Sequence, residues 1–120
     1  MITRTRIGLT SIIVLGIFAT TCLQAFSDDA KIVKISAKRF EFSPKNITLK
    51  KGVPVTLSIT SEDRSHGFNI PAMNLRADIA PGKATELKIT PQKAGELDYY
   101  CDVFCGNGHD DMTGKFIVTE

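Results

Sequence analysis

Cys101, Cys105, His109 and Met112 fall within twelve positions, in the run Cys101-Asp-Val-Phe-Cys105-Gly-Asn-Gly-His109-Asp-Asp-Met112. Thiolate, imidazole and thioether are soft or borderline donors. Together they select copper over magnesium or calcium, which take oxygen ligands. Zinc accepts cysteine and histidine, but a thioether adds little to a zinc site. A fifth donor, His66, stands far off in Ser61-Glu-Asp-Arg-Ser-His66-Gly-Phe, and it is one of only two histidines in the chain. Each donor alone has a plainer use. Two cysteines form a disulfide in an exported protein, a single methionine fills a core, and a single histidine sits on the surface. Their joint occurrence favours a metal centre over all three.

A site of this kind needs a frame that brings both segments to one point. Lys31 to Ala37 alternates apolar and polar residues, as do Val53 to Thr60 and Thr85 to Thr90. That period of two predicts strands with one buried face. Shorter strands are expected at Asn46 to Lys50, Leu97 to Cys101 and Lys115 to Thr119. Lys51-Gly52 and Ala94-Gly95 read as turns, and Pro71 and Pro81-Gly82 mark a loop-rich middle. No stretch sustains a helical period. About seven short strands in roughly 90 residues predict an all-β, antiparallel Greek-key β-sandwich. Phe40, Phe42, Phe68 and Phe116 are its expected large core residues. The cysteine run joins two strands, so it forms a loop at one end of the sandwich, with Gly106 and Gly108 supplying backbone freedom. His66 is expected in a loop that meets it there, because alternate loops of a sandwich cluster at one end.

The first 27 residues read differently. Arg4 and Arg6 precede an apolar run from Ile7 to Phe26, and Ala25-Phe26-Ser27 offers small residues at the positions a signal peptidase reads. Residues 1–27 are expected to be a signal peptide, with retention as a membrane anchor the alternative, since about 20 apolar residues span a bilayer. Cys22 fits a lipidated cysteine poorly, because Thr20-Thr21 precedes it. Residues 28–120 then form a single domain, which puts the protein in the periplasm or otherwise outside the cytoplasm. Removing residues 1–27 takes two basic residues and no acidic one, which leaves 13 of each. A near-neutral domain with no basic stripe excludes nucleic acid as a partner.

The spacing Cys-x-x-x-Cys-Gly-x-x-His-x-x-Met resembles the binuclear copper A (CuA) motif of cytochrome c oxidase subunit II and nitrous oxide reductase. Ser61-x-Asp63-x-x-His66-x-Phe68-x-x-Pro71 is similar to the subunit II segment that carries the first histidine. Asp78-x-x-Pro81-Gly82, Gly95 and Gly114 also fall where that family has them. The resemblance implies a cupredoxin-like fold and two copper ions bridged by Cys101 and Cys105. His66 and Met112 would complete one copper. His109 and the backbone carbonyl of Val103 would complete the other. The chain departs from the pattern at four points. It has no tryptophan, so the aromatic patch that takes in electrons in the oxidase is missing. Arg64 replaces an apolar residue, and Val103 an acidic or amide residue. One apolar segment stands where subunit II has two transmembrane helices.

All the donors come from the protein, so no position is evident for a substrate. The expectation is a free-standing one-electron carrier, not itself an enzyme, whose partner is a c-type cytochrome or a terminal reductase. Two rivals remain. One is a periplasmic copper carrier or insertion factor that exchanges metal with a copper-delivery protein. The other is an accessory subunit of a membrane oxidase or reductase, with membrane contact only if the N-terminal segment is retained.

Overall fold

The computed structural model describes residues 30–120. The proposed signal segment and Cys22 lie outside the described residues. Nine strands follow one another: β1 (Lys31–Lys38), β2 (Glu41–Ser43), β3 (Asn46–Lys50), β4 (Val55–Ser61), β5 (His66–Ile70), β6 (Leu75–Ile79), β7 (Thr85–Ile89), β8 (Gly95–Tyr100) and β9 (Thr113–Thr119). Short 3-10 turns at Pro71–Met73 and His109–Asp111 are the helical elements among the described residues.

The strands form two sheets, ordered β2-β1-β4-β7 and β3-β9-β8-β5-β6. Alternation decides which side chains face inward. Val55, Leu57 and Ile59 of β4 are buried, as are Ile47 and Leu49 of β3 and Phe116 and Val118 of β9. At the centre the Tyr99 ring packs on Phe42, Phe68 and Phe116, with centroids 5.3, 4.8 and 4.7 Å away. Its hydroxyl escapes burial without a partner by donating to the carbonyls of Pro44 and Lys45, at 3.2 and 2.9 Å. Burial pushes the Tyr99 phenol well above its ordinary pKa. Phe42, Phe68 and Phe116 are core residues as expected, but Phe40 is only half-buried.

The sandwich and its non-consecutive strand order agree with the sequence reading. Its pairing differs in detail. Most pairs are antiparallel, but β1 runs parallel to β4 and β3 parallel to β9. Alternation fixes a strand's buried face and says nothing of its neighbour's direction. Only hairpin neighbours must be antiparallel, and the chain changes sheet between β1 and β4. The loop-rich middle also contains β6, in which Leu75, Ala77 and Ile79 point one way between exposed Arg76 and Asp78.

Two registers position the site. In the β8–β9 hairpin Tyr100 faces Thr113, and the Cys101 N–H donates to the Met112 carbonyl at 3.0 Å. The ladder therefore closes at the base of the 101–112 loop and holds its two end donors face to face. β5 lies on the other side of β8, with Asn69 opposite Tyr100. Running back along β5 from Asn69 brings Gly67 and His66 beside the loop just past Tyr100. His66 is thus the first residue of β5 rather than a loop residue, and strand pairing fixes its place.

Candidate metal centre

His66, Cys101, Cys105 and Met112 are buried, and His109 is half-buried. The two thiols are free, with no disulfide between them. Cys101 Sγ lies 4.0 Å from His66 Nδ1 and 3.2 Å from the Val103 carbonyl oxygen. Cys105 Sγ lies 3.6 Å from His109 Nδ1 and 3.9 Å from Met112 Sδ. The ligating atoms of His66, Cys101 and Cys105 all fall within 4.8 Å of one another. Sulfur and nitrogen donors on one tetrahedral ion, with bonds near 2.3 and 2.0 Å, stand about 3.5 Å apart. The sulfur–nitrogen spacings of 4.0 and 3.6 Å are close to that value, so the donor set fits a thiophilic metal in chemistry and approximates it in distance. The structure places the six candidate donors, His66, Cys101, Val103, Cys105, His109 and Met112, around the two thiols.

The surroundings orient these donors. His66 donates its Nε2 proton to Asp63 Oδ1 at 2.7 Å, which leaves Nδ1 as the lone-pair nitrogen facing Cys101. Asp63 also accepts the backbone N–H groups of Arg39 and Arg64, each at 2.7 Å. Partial burial alone would raise the Asp63 carboxyl. The Arg39 N–H, the His66 ring and the Arg64 N–H outweigh that and hold it down at about 2. A carboxylate that fixes the tautomer and tilt of a ligating histidine is a usual outer partner in metal sites.

The cysteine loop is tethered in the same way. The Gly67 N–H points at Cys101 Sγ, 3.4 Å away. A side chain at Gly67 would collide with the Asp102 carboxylate, so only glycine permits this approach. Asp102 Oδ2 accepts Arg76 Nε at 2.6 Å and Asn69 Nδ2 at 3.3 Å, while Oδ1 is buried without a hydrogen-bond partner. Asp102 is therefore no free surface charge. It anchors the loop across β5 to β6. Arg64, the departure from the family pattern, is exposed and donates its Nη1 to the Cys105 carbonyl at 3.3 Å. Burial pushes the Cys105 thiol up from its ordinary value, the neighbouring Cys101 adds to this, and the Arg64 charge opposes it. Asp110 and Asp111 are solvated, as their position in the loop predicts.

Sequence reasoning did not assign Asp63 as the partner of His66, nor Asp102 as an anchor. The sequence signal was available for Asp63, which stands three residues before the histidine. For Asp102 it was not, because its partners lie 26 and 33 residues away.

A family model described as a cupredoxin-like domain matches residues 11–118. The chain belongs to that family. This cupredoxin-like chain is 32% identical over 88 residues to cytochrome c oxidase subunit 2 of Thermus thermophilus, a match covering 73% of this chain and 65% of the relative. It is 36% identical over 90 residues to nitrous-oxide reductase of Cupriavidus necator, covering 72% of this chain and 14% of the reductase. Among solved structures it resembles a heme-copper terminal oxidase dimer, with a TM-score of 0.68 and 29% identity over 78% of this chain and 68% of that one. The chain therefore spans less than two thirds of the length of these curated relatives. Among the described residues no helix is long and apolar enough to cross a membrane.

Proposed function

We propose that this cupredoxin-like chain is an exported one-electron carrier that holds two copper ions between Cys101 and Cys105. His66 and Met112 would complete one copper. His109 and the Val103 carbonyl would complete the other. The observation that carries this reading is the pair of free, buried thiols, each with an imidazole Nδ1 within 4.0 Å and one beside the Met112 thioether. Copper held there supplies a one-electron couple. The protein's part is to keep its donors in place through that change. β5 fixes His66, the closed ladder at Cys101 and Met112 fixes the loop base, and Asp63 holds the ring tautomer.

Burial argues against copper delivery. A carrier that hands over metal favours a shallow, open site, whereas four of the five side-chain donors are buried here. His109 is the donor nearest the surface, and the Phe104 ring beside it, 5.9 Å away, is 70% exposed. Electrons would pass most directly at that edge, to a c-type cytochrome or a terminal reductase. Similarity to cytochrome c oxidase subunit 2 and to nitrous-oxide reductase favours a role in electron transfer. The N-terminal pattern of residues 1–27 supports export, which the intact mass of protein from its native host tests: a chain starting near Asp28 is expected.

The functional test is repeated oxidation and reduction of the copper-loaded protein. A reversible couple with copper retained is expected. Rapid transfer of copper to a metal-free acceptor, with no reversible couple, contradicts electron carriage.

A further inference from the structure

The turn between β1 and β2 touches both chain segments that bear donors. Phe40 lies in that turn, half-buried, against the backbone of the cysteine loop. A Cβ built on Gly106 would come within 3.2 Å of the Phe40 ring, and one on Gly108 within 2.9 Å. Both glycines have positive φ, at 132° and 109°, so the ring rests on backbone that only glycine readily provides. The preceding residue reaches the other segment. The Arg39 N–H donates to Asp63 Oδ2, and Asp63 Oδ1 holds His66. Two consecutive residues of one turn thus contact the 63–66 segment and the 105–109 segment.

The loop's own bonds do not provide this link. His109 N–H donates to Gly106 O at 3.2 Å, Asp111 N–H to Gly108 O at 3.1 Å, and Met112 N–H to His109 O at 3.0 Å. These bonds shape the 3-10 turn internally. Arg64 to the Cys105 carbonyl is a further tie, but it comes from an exposed side chain at 3.3 Å, where solvent competes. A ring packed close to backbone is an apolar contact that does not compete with water for a hydrogen bond, and its rigidity costs little entropy.

We propose that Phe40 is a positioning residue of the metal loop, whose ring on Gly106 and Gly108 holds the Cys105–His109 segment in register with His66. The inference deepens the copper reading and rests on it for its meaning. Its geometric content, a loop pinned by one ring, concerns the metal-free protein and is tested there.

The experiment compares wild type, Phe40→Leu and Phe40→Ala as full chains. Amide hydrogen exchange of the metal-free proteins is read at His109, Asp111 and Met112, with Leu57 and Ile59 of β4 as internal reference. Removing the ring is expected to speed exchange at the three loop amides about tenfold, because local opening is set by local contacts. The β4 amides stay as in wild type, and Phe40→Leu falls between. After copper loading, the EPR hyperfine splitting of Phe40→Ala shifts from wild type and that of Phe40→Leu shifts less. Unchanged loop exchange overturns the proposal. So does equal acceleration at β4, which marks general destabilisation. If Phe40→Ala does not fold, Phe40→Leu decides by the same criteria. If wild type binds no copper, the copper reading fails, while selective loop exchange still upholds the pinning by Phe40.

Discussion

Asp63→Asn removes a charge and almost no volume from beside His66. The carboxylate accepts three hydrogen bonds, from the N–H groups of Arg39 and Arg64 and from His66 Nε2, each at 2.7 Å. An amide has one acceptor oxygen and presents N–H groups on its other side. If its oxygen stays with His66 and Arg64, its NH2 faces the Arg39 N–H. If it turns round, His66 loses its acceptor. Either way, the groups that hold the His66 ring lose part of their support, along with the negative charge. Outer partners of this kind are typically worth ten- to a hundredfold in metal affinity, about 1.4 to 2.7 kcal/mol. The Asp63 side chain is 34% exposed. Solvent screens the pair, which places the loss at the lower end, about tenfold. Competition against a copper chelator of known affinity measures it. Glu62→Gln is the control, since it removes a neighbouring exposed carboxylate that bonds to Ser36 rather than to His66. Wild-type affinity in Asp63→Asn, or an equal loss in Glu62→Gln, refutes the orienting role.

The same carboxylate sets an acid response in the metal-free protein. Its folded pKa is depressed to about 2, below its ordinary value of 3.8. Its contribution to stability is therefore present above about pH 4 and lost as pH falls through about 2. Denaturant titrations across that window show the loss, and Asp63→Asn flattens it. Cys105→Ser leaves two imidazoles, one thiolate and a thioether, a blue-copper set. It lowers copper from two per chain to one, read by metal analysis, with an EPR spectrum of mononuclear type. Met112→Leu changes the reduction potential more than the copper content, because axial thioethers are weak, long ligands. Tyr99→Phe loses its hydrogen bonds to Pro44 and Lys45. It costs about 1 kcal/mol in denaturant unfolding and leaves copper content unchanged.

The candidate donors were legible as a group because ligand chemistry is written in residue type and spacing. Four of them fall in one short run, and nothing but a fold that closes that run could use them together. The sandwich was legible from alternation in β1, β4 and β7. β6 carries the same alternation, at Leu75, Ala77 and Ile79, but Pro71 and Pro81-Gly82 on either side read as loop. The parallel pairs were not legible, because a buried face carries no direction. His66 looked like a loop residue because the polar run Ser61-Glu-Asp-Arg-Ser before it lacks strand alternation. The reason for Gly67 is the approach of Asp102, which is distant in sequence. Phe40 read as core by its apolarity. Its contact with Gly106 and Gly108 depends on a turn reaching across the fold, which no local pattern encodes.

The central claim is a two-copper centre shared by Cys101 and Cys105. It is tested most directly on residues 28–120 loaded with copper, by metal counting together with EPR on the same sample. Two coppers per chain, with one unpaired electron coupled to two copper nuclei, is the predicted result. A single copper per chain, with hyperfine coupling to one nucleus, would contradict it.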